Sequence, residues 1–292
     1  MEKNKLQALI YLLDDPDRTV FELVEKELLK ETPEIIPALE EKWENSFDEN
    51  CQEKIENLIQ NLQFKQTTKQ LKKWITSKKQ DLLEGFLEVN RFQYPDLNLL
   101  NIHQKIESIK KSIWLELKNS LTLLEKTTII NHFIYSENGF SINHKNIHSP
   151  QNCFLNQIID TKKGNPVSLS IFYTIMARQL DLPVQFIDFP KNPLVAIVDR
   201  ELAKKVHGIN VNSHVLFYIN PSNKGAITSR KEIEYHLRES KYKPIEWFTE
   251  PKSDLLFIQR LLESLKESYN TNGFKEKEEK TGKLLKLFQN NV

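Results

Sequence analysis

The sequence predicts an α+β protein that is predominantly helical: one buried central helix packed on a small antiparallel sheet, flanked by helical hairpins. Three observations predict it. Glycine is scarce, at 7 of 292 residues, which disfavours a turn-rich, strand-dense fold, and Leu, Lys and Glu recur at helical spacing. The segment PVSLSIFYTIMARQL (166–180) is apolar on nearly every face, the pattern of a helix enclosed at the centre of a domain. Beyond it the period changes. VQFIDF (184–189), LVAIVD (194–199) and HVLFYIN (214–220) are rich in β-branched and aromatic residues and read as strands. Three short strands are too few for a doubly wound parallel sheet, but they suffice for an antiparallel layer on that helix.

Residues 1–80 read as helical hairpins. Asp15-Pro16 is a helix start, because Asp caps free N–H groups and Pro fits a first turn. The helix behind it is expected to bury Val20, Leu23, Val24 and Leu28. Thr32-Pro33 starts another, with Ile35, Ile36, Leu39 and Trp43 as its stripe, and residues 48–63 give a third with Ile55, Leu58, Ile59 and Leu62. Helices continue through 81–135, interrupted at Tyr94-Pro95, with Ile102, Ile106, Ile109 and Ile113 on one face. SENGFSINHKNIHS (136–149) reads as a polar loop, and Ser149-Pro150 opens a short helix through Ile159. The central helix begins at Gly164-Asn165-Pro166, where Asn165 is the N-cap and Pro166 the first helical residue, and it must stop before Pro183. Ser229-Arg-Lys-Glu232 is a capping box that starts a helix near 230. Two last helices, around 253–269 and 274–289, join through Asn272-Gly273. The implied division is 1–68, 69–245 and 246–292.

Charge excludes some functions. With 41 basic and 40 acidic side chains the net charge is +1, so no global field gathers nucleic acid or an anionic membrane. The local excess that stands out is KQTTKQLKKWITSKK (65–79), which reads as a solvated helix face with Trp74 packed inward. No apolar run approaches the ~20 residues that span a bilayer. Met1–Lys5 leads straight into an amphipathic helix, so no secretion signal is expected. The two cysteines, Cys51 and Cys153, are far apart in sequence. A reduced, cytoplasmic protein with free thiols is the expectation.

A Gly-Asn-Pro turn that opens a buried helix is where some enzymes place a nucleophile. NQIIDTKKGNPVSLSIFYTIMARQLDLPVQFIDFP (156–190) resembles the signature of the SirB1 family, the transglutaminase-like "core 2" domain of the papain-like superfamily. FYINPSNKGAITSRKEIEYHL (217–237) is similar to that family's strand, turn, Gly and following helix, and the likeness reaches back to about Lys69. LLDDPDRTVFELVEKELL (12–29) with the helix after it looks like a HEAT-type repeat, and residues 253–289 resemble a tetratricopeptide-like hairpin. Active members of the superfamily use a Cys at the start of the central helix, a His on the next strand and an Asp on the strand after. A helix dipole stabilises such a thiolate, the His takes its proton and the Asp orients the imidazole. Carried over, the Cys position falls on Pro166, the His position on Asn192 and the Asp position on Asn220. The SirB1 family commonly has Pro at the first of these and usually keeps a Gly-His where this chain reads Lys191-Asn192. Proline has no nucleophilic atom, and an amide takes no proton near neutral pH. The resemblance therefore implies a degenerate site, with Asn165, Ser168, Lys191, Asn192 and Asn220 as expected lining of its cleft.

Other residues are candidates for a rebuilt site. Ser168 and Ser170 lie just inside the central helix, with His207 and His214 as the nearest bases by fold; a working serine needs such a base within hydrogen-bond reach. Cys153 sits among Phe154, Leu155 and Ile158, a setting in which Cys behaves as a small hydrophobe. His144 and His148 have a zinc-binding spacing but fall in a polar loop without a third ligand. No Walker loop or GxGxxG appears, so no cofactor and no metal are expected. Two readings follow: a non-catalytic scaffold that binds protein or peptide, or a cysteine- or serine-type amide hydrolase or acyltransferase with a rebuilt site.

Overall fold

The structure is a computed structural model that describes residues 3–15, 17–208 and 213–289. The chain divides into two compact units, residues 1–73 with 91–95, and residues 74–90 with 96–292.

The first unit begins with α1 (Lys3–Tyr11), α2 (Arg18–Leu28), α3 (Ile36–Glu44) and α4 (Glu49–Ile75). Asp17 caps α2 by accepting from the Thr19 amide at 2.8 Å, two residues beyond the expected cap at Asp15; Pro16 lies outside the described residues. Helical spacing draws Val24, Leu28, Ile35, Leu39, Ile55, Leu58 and Leu62 into one core. Leu23, expected on the buried face, is exposed; Phe21 takes that place. Residues 48–63 were expected to be a helix of their own, yet α4 runs on to Ile75, because nothing between Gln63 and Trp74 breaks a helix. Trp74 is buried as expected, with its Nε1 donating to the Asp81 carbonyl at 2.7 Å.

The second unit adds α5 (Leu82–Arg91), α6 (Leu99–Trp114), α7 (Leu123–Asn131) and a π-helical turn, His132–Glu137. All four isoleucines of the α6 stripe are buried. The loop expected at 136–149 contains a two-residue strand, β1 (Ser141–Ile142). It pairs in parallel with β2 (Lys163–Gly164), which follows α8 (Leu155–Thr161). The helix expected from Pro150 through Ile159 is divided. Phe154 is extended, with φ −114° and ψ 127°, so a 3-10 turn (Pro150–Cys153) precedes α8.

The central helix is α9 (Pro166–Gln179). Val167 through Ala177 are all buried on it, as an all-round apolar sequence requires. Against it lies an antiparallel sheet of β3 (Val184–Ile187), β4 (Leu194–Val198), β5 (Val215–Asn220) and β6 (Ala226–Thr228), in that spatial order. The sheet has four strands where three were expected. β6 is three residues long with two exposed, so neither length nor alternation marks it. Between β4 and β5 runs α10 (Arg200–His207). After the sheet come α11 (Arg230–Glu239), α12 (Ile245–Thr249), α13 (Asp254–Thr271) and α14 (Lys275–Leu285), and the C-terminal hairpin belongs to this same unit. Phe186 of β3 stacks on Phe257 of α13 with centroids 3.9 Å apart. Arg178 near the end of α9 holds Asp254 through two hydrogen bonds, the longer 2.9 Å.

Candidate functional site

The site is the N-terminal end of α9, where the chain arrives from β2 through Gly164. A Cβ on Gly164 would stand 2.9 Å from Ser168 Oγ and 3.0 Å from Leu169 Cγ, so only glycine lets the turn sit so close to the helix. Asn165 then caps α9. Its Oδ1 accepts from the Ser168 amide at 2.8 Å, and Ser168 Oγ accepts from the Asn165 amide at 3.0 Å, a reciprocal capping box. Pro166 fills the first helical position, where a missing N–H costs nothing.

Behind this cap lies a buried polar network. Ser168 Oγ donates to the Asn152 carbonyl at 2.6 Å. Asn165 Nδ2 donates to Cys153 Sγ and to Ser264 Oγ, both at 3.0 Å. Asn152 Nδ2 donates to the carbonyls of Asn146 and Ile147, while its Oδ1 accepts from Asn143 at 3.0 Å. Three segments are thus tied together: the loop before α8, the start of α9 and the middle of α13. Asn165 and Ser168 were expected to line a cleft. The structure buries both, because the 143–153 loop covers them. Ser170, also fully buried, donates to the Pro193 carbonyl at 2.9 Å.

Cys153 is fully buried, and that burial pushes its thiol up to about 12, although hydrogen bonds from Ser264, Asn165 and Ser268 pull the other way. It is a neutral thiol at physiological pH, without the exposed, electropositive setting a nucleophile needs. Cys51, in the first unit, is buried too; desolvation and its bond to Asp14 push it up.

The two amides expected at the His and Asp positions, Asn192 and Asn220, reach the same end of the sheet. Asn192 follows Lys191, which is held at φ 64°, in the turn between β3 and β4, and the next residue, Pro193, receives the Ser170 hydroxyl. Asn192 and Lys191 are exposed. Asn220 ends β5, one residue beyond the Val195–Ile219 pair, so it stands beside the start of β4. Its side chain accepts from the Ser222 amide at 3.0 Å, and its carbonyl accepts from Gly225 at 2.9 Å. Asn220 is therefore spent on shaping its turn. Gly225 has φ 72°, and a Cβ there would lie 2.2 Å from Asn131 Oδ1. His214 precedes β5 at the opposite end of the sheet from Asn220, and the His207 side chain lies outside the described residues.

A cavity of about 380 Å³ opens beside the β3–β4 turn, lined by Phe189, Pro190, Lys191, His236, Leu237, Ser240 and Tyr242. It brings the Lys191 ammonium together with aromatic rings, with no carboxylate in its lining. Sequence reasoning marked Lys191 but missed His236 and Tyr242, which come from α11 and the turn after it; nothing local to them signals proximity to residue 191. His144 and His148 are exposed, and among the described residues no three His, Cys, Asp or Glu side chains form a metal-binding group. No helix of the described residues is long and apolar enough to cross a membrane.

Comparison with known proteins agrees with this architecture. The sequence pattern of the transglutaminase-like superfamily matches residues 100–263, more than half of the chain. A UPF0162 protein of Xylella fastidiosa is 28% identical over 116 residues, which is 40% of this chain and 41% of that protein. A UPF0162 protein of Vibrio cholerae is 25% identical over 154 residues, 53% of this chain and 52% of its own. The F-box only protein 21 of Homo sapiens is 23% identical over 178 residues, covering 52% of this chain and 27% of that protein. The match thus spans about half or less of each of these relatives. No solved structure matches. The matched segment holds α6 through α9, the whole sheet and the first half of α13: the chain belongs to the transglutaminase-like superfamily.

Proposed function

We propose that this chain is a non-catalytic, SirB1-type member of the superfamily that works in the cytoplasm by binding protein or peptide segments. One observation carries the reading: at the start of α9, the place of the superfamily's nucleophile is taken by Pro166, and each neighbouring nucleophilic atom is buried and engaged. Ser168 Oγ is bonded on both sides, Ser170 Oγ is bonded to Pro193, and Cys153 holds a neutral thiol. The amides Asn192 and Asn220 are unable to act as a general base. In this reading the turn serves as a helix cap and aims no thiol.

Binding is then the work left to the fold. The cavity beside Lys191 combines the apolar side chains of Phe189, Pro190 and Leu237 with the Lys191 ammonium and with Ser240 and Tyr242, which suits a short peptide segment with an acidic or carboxylate end. The flanking helices, HEAT-like at the N-terminus and tetratricopeptide-like at the C-terminus, are surfaces of the kind that hold partners.

The test is labelling of native and urea-unfolded protein with a fluorophosphonate and with a broad thiol-reactive electrophile. The reading expects no residue of the native protein to label above its unfolded level. Selective labelling of Ser168 or Cys153 in the native state would replace it with the rebuilt amide hydrolase or acyltransferase.

A further inference from the structure

The first unit carries a surface that the balanced net charge conceals. Residues 1–64 hold 16 acidic side chains against 7 basic ones. At one end of this unit, three segments meet: the end of α1 with the turn after it, the end of α3, and the start of α4. Lys42 joins them through an ion pair with Asp14, its ammonium 6.0 Å from the Tyr11 ring centre. Cys51 of α4 donates to Asp14, and Gln52 donates to the carbonyls of Trp43 and Ser46.

On that end, large apolar side chains face solvent. Phe47, between α3 and α4, is fully exposed, Tyr11 is 78% exposed and Trp43 is 40% exposed. Clustered exposed aromatics of this kind mark interaction sites in folded proteins. Around them stand exposed carboxylates: Glu41, Glu44, Asp48 and Glu49. Glu41 and Glu44 occupy the last turn of α3, where the helix dipole disfavours negative charge. The nearby cation, Lys42, is already paired. The field here is negative, which repels nucleic acid and anionic lipid and attracts a cation-bearing partner.

We infer that the Tyr11–Trp43–Phe47 end of the first unit is a docking surface for a basic amphipathic segment of a partner protein, one that offers Lys or Arg to the carboxylate rim and apolar side chains to the three aromatics. This stands independently of whether the α9 site is catalytic.

The test uses the full chain and a fluorescein-labelled 18-residue Leu/Lys amphipathic peptide as probe, with a Leu/Glu peptide of the same pattern as control, followed by anisotropy. The Leu/Lys peptide is expected to bind and the control not to. Two double variants are compared, Trp43→Ser with Phe47→Ser, and Glu41→Lys with Glu44→Lys, whose carboxylates are exposed in the last turn of α3. Trp43 is only 40% exposed, so circular dichroism melts are run on both variants and anisotropy is read at a temperature where each is fully folded. Each pair should weaken the Leu/Lys peptide at least tenfold, and the charge pair should also flatten the salt dependence. Wild-type affinity in the Trp43/Phe47 pair, or equal binding of both peptides, overturns the inference. So does concentration-dependent self-association in sedimentation that the Trp43/Phe47 pair abolishes, since the occupant is then a second copy.

Discussion

Asn165 and Ser168 hold each other across the first turn of the central helix: Asn165 Oδ1 accepts from the Ser168 amide, and Ser168 Oγ accepts from the Asn165 amide. The pair is fully enclosed, and Ser168 Oγ also reaches the Asn152 carbonyl. Removing Asn165 by Asn165→Ala loses the cap and leaves Cys153 and Ser264 without their donor. A loss of about 2 kcal/mol is expected in urea unfolding. Ser168→Ala leaves the Asn165 amide only its long 3.4 Å bond to the Asn152 carbonyl and removes the hydroxyl's own bond to that carbonyl, with about 1–3 kcal/mol lost. No loss in either variant would contradict the structural role.

Pro166 marks the nucleophile position in our reading, so Pro166→Cys places a thiol at a helix N-terminus on a partly exposed residue. The dipole there favours the thiolate. The variant should react with iodoacetamide at pH 7 well before Cys51 or Cys153, with one equivalent of label, measured by mass spectrometry of the native protein. A variant as inert as the parent would mean that the turn does not face solvent at residue 166.

Gly225 lies against Asn131, whose Nδ2 donates to its carbonyl at 2.8 Å. Gly225→Ala adds a methyl where the Asn131 amide sits and demands a positive φ of an L side chain. A loss of at least about 2 kcal/mol is expected, read from thermal and urea unfolding. Adding Asn131→Gly should recover the steric part.

The Cys153 thiol is pushed from 9.0 up to about 12, chiefly by burial, and burial raises Tyr173 as well. A group raised in the folded state contributes stability that is complete below its unfolded value and lost as pH rises toward the folded one. The urea midpoint should therefore fall from about pH 9 upward. Cys153→Ala should show a shallower fall, whatever its midpoint at pH 7. Parallel slopes would contradict the burial.

Much of this was legible from local chemistry. The cap at Asn165, the Pro166 start, the all-round burial of 167–177 and the Ser229–Glu232 box are short-range patterns, and the structure reproduces them. What escaped was set by distant partners. β6 exists because β5 offers its edge, not because Ala226–Thr228 favours a strand. β1 pairs with β2 across twenty-two residues. Ser168 looks exposed in a helix's first turn until Asn152 covers it, and His236 joins Lys191 only through the approach of α11 to the β3–β4 turn. The residue types at Pro166, Asn192 and Asn220 were readable in the sequence; the closure of the cap was not.

The most direct measurement is the rate at which native protein reacts with Ellman's reagent at pH 8, compared with its global unfolding rate under rising urea. A closed cap predicts that neither Cys51 nor Cys153 reacts faster than the chain unfolds, and that reactivity follows the unfolding curve. One thiol reacting promptly in the folded protein, assigned to Cys153, would contradict it and reopen the helix end as a working site.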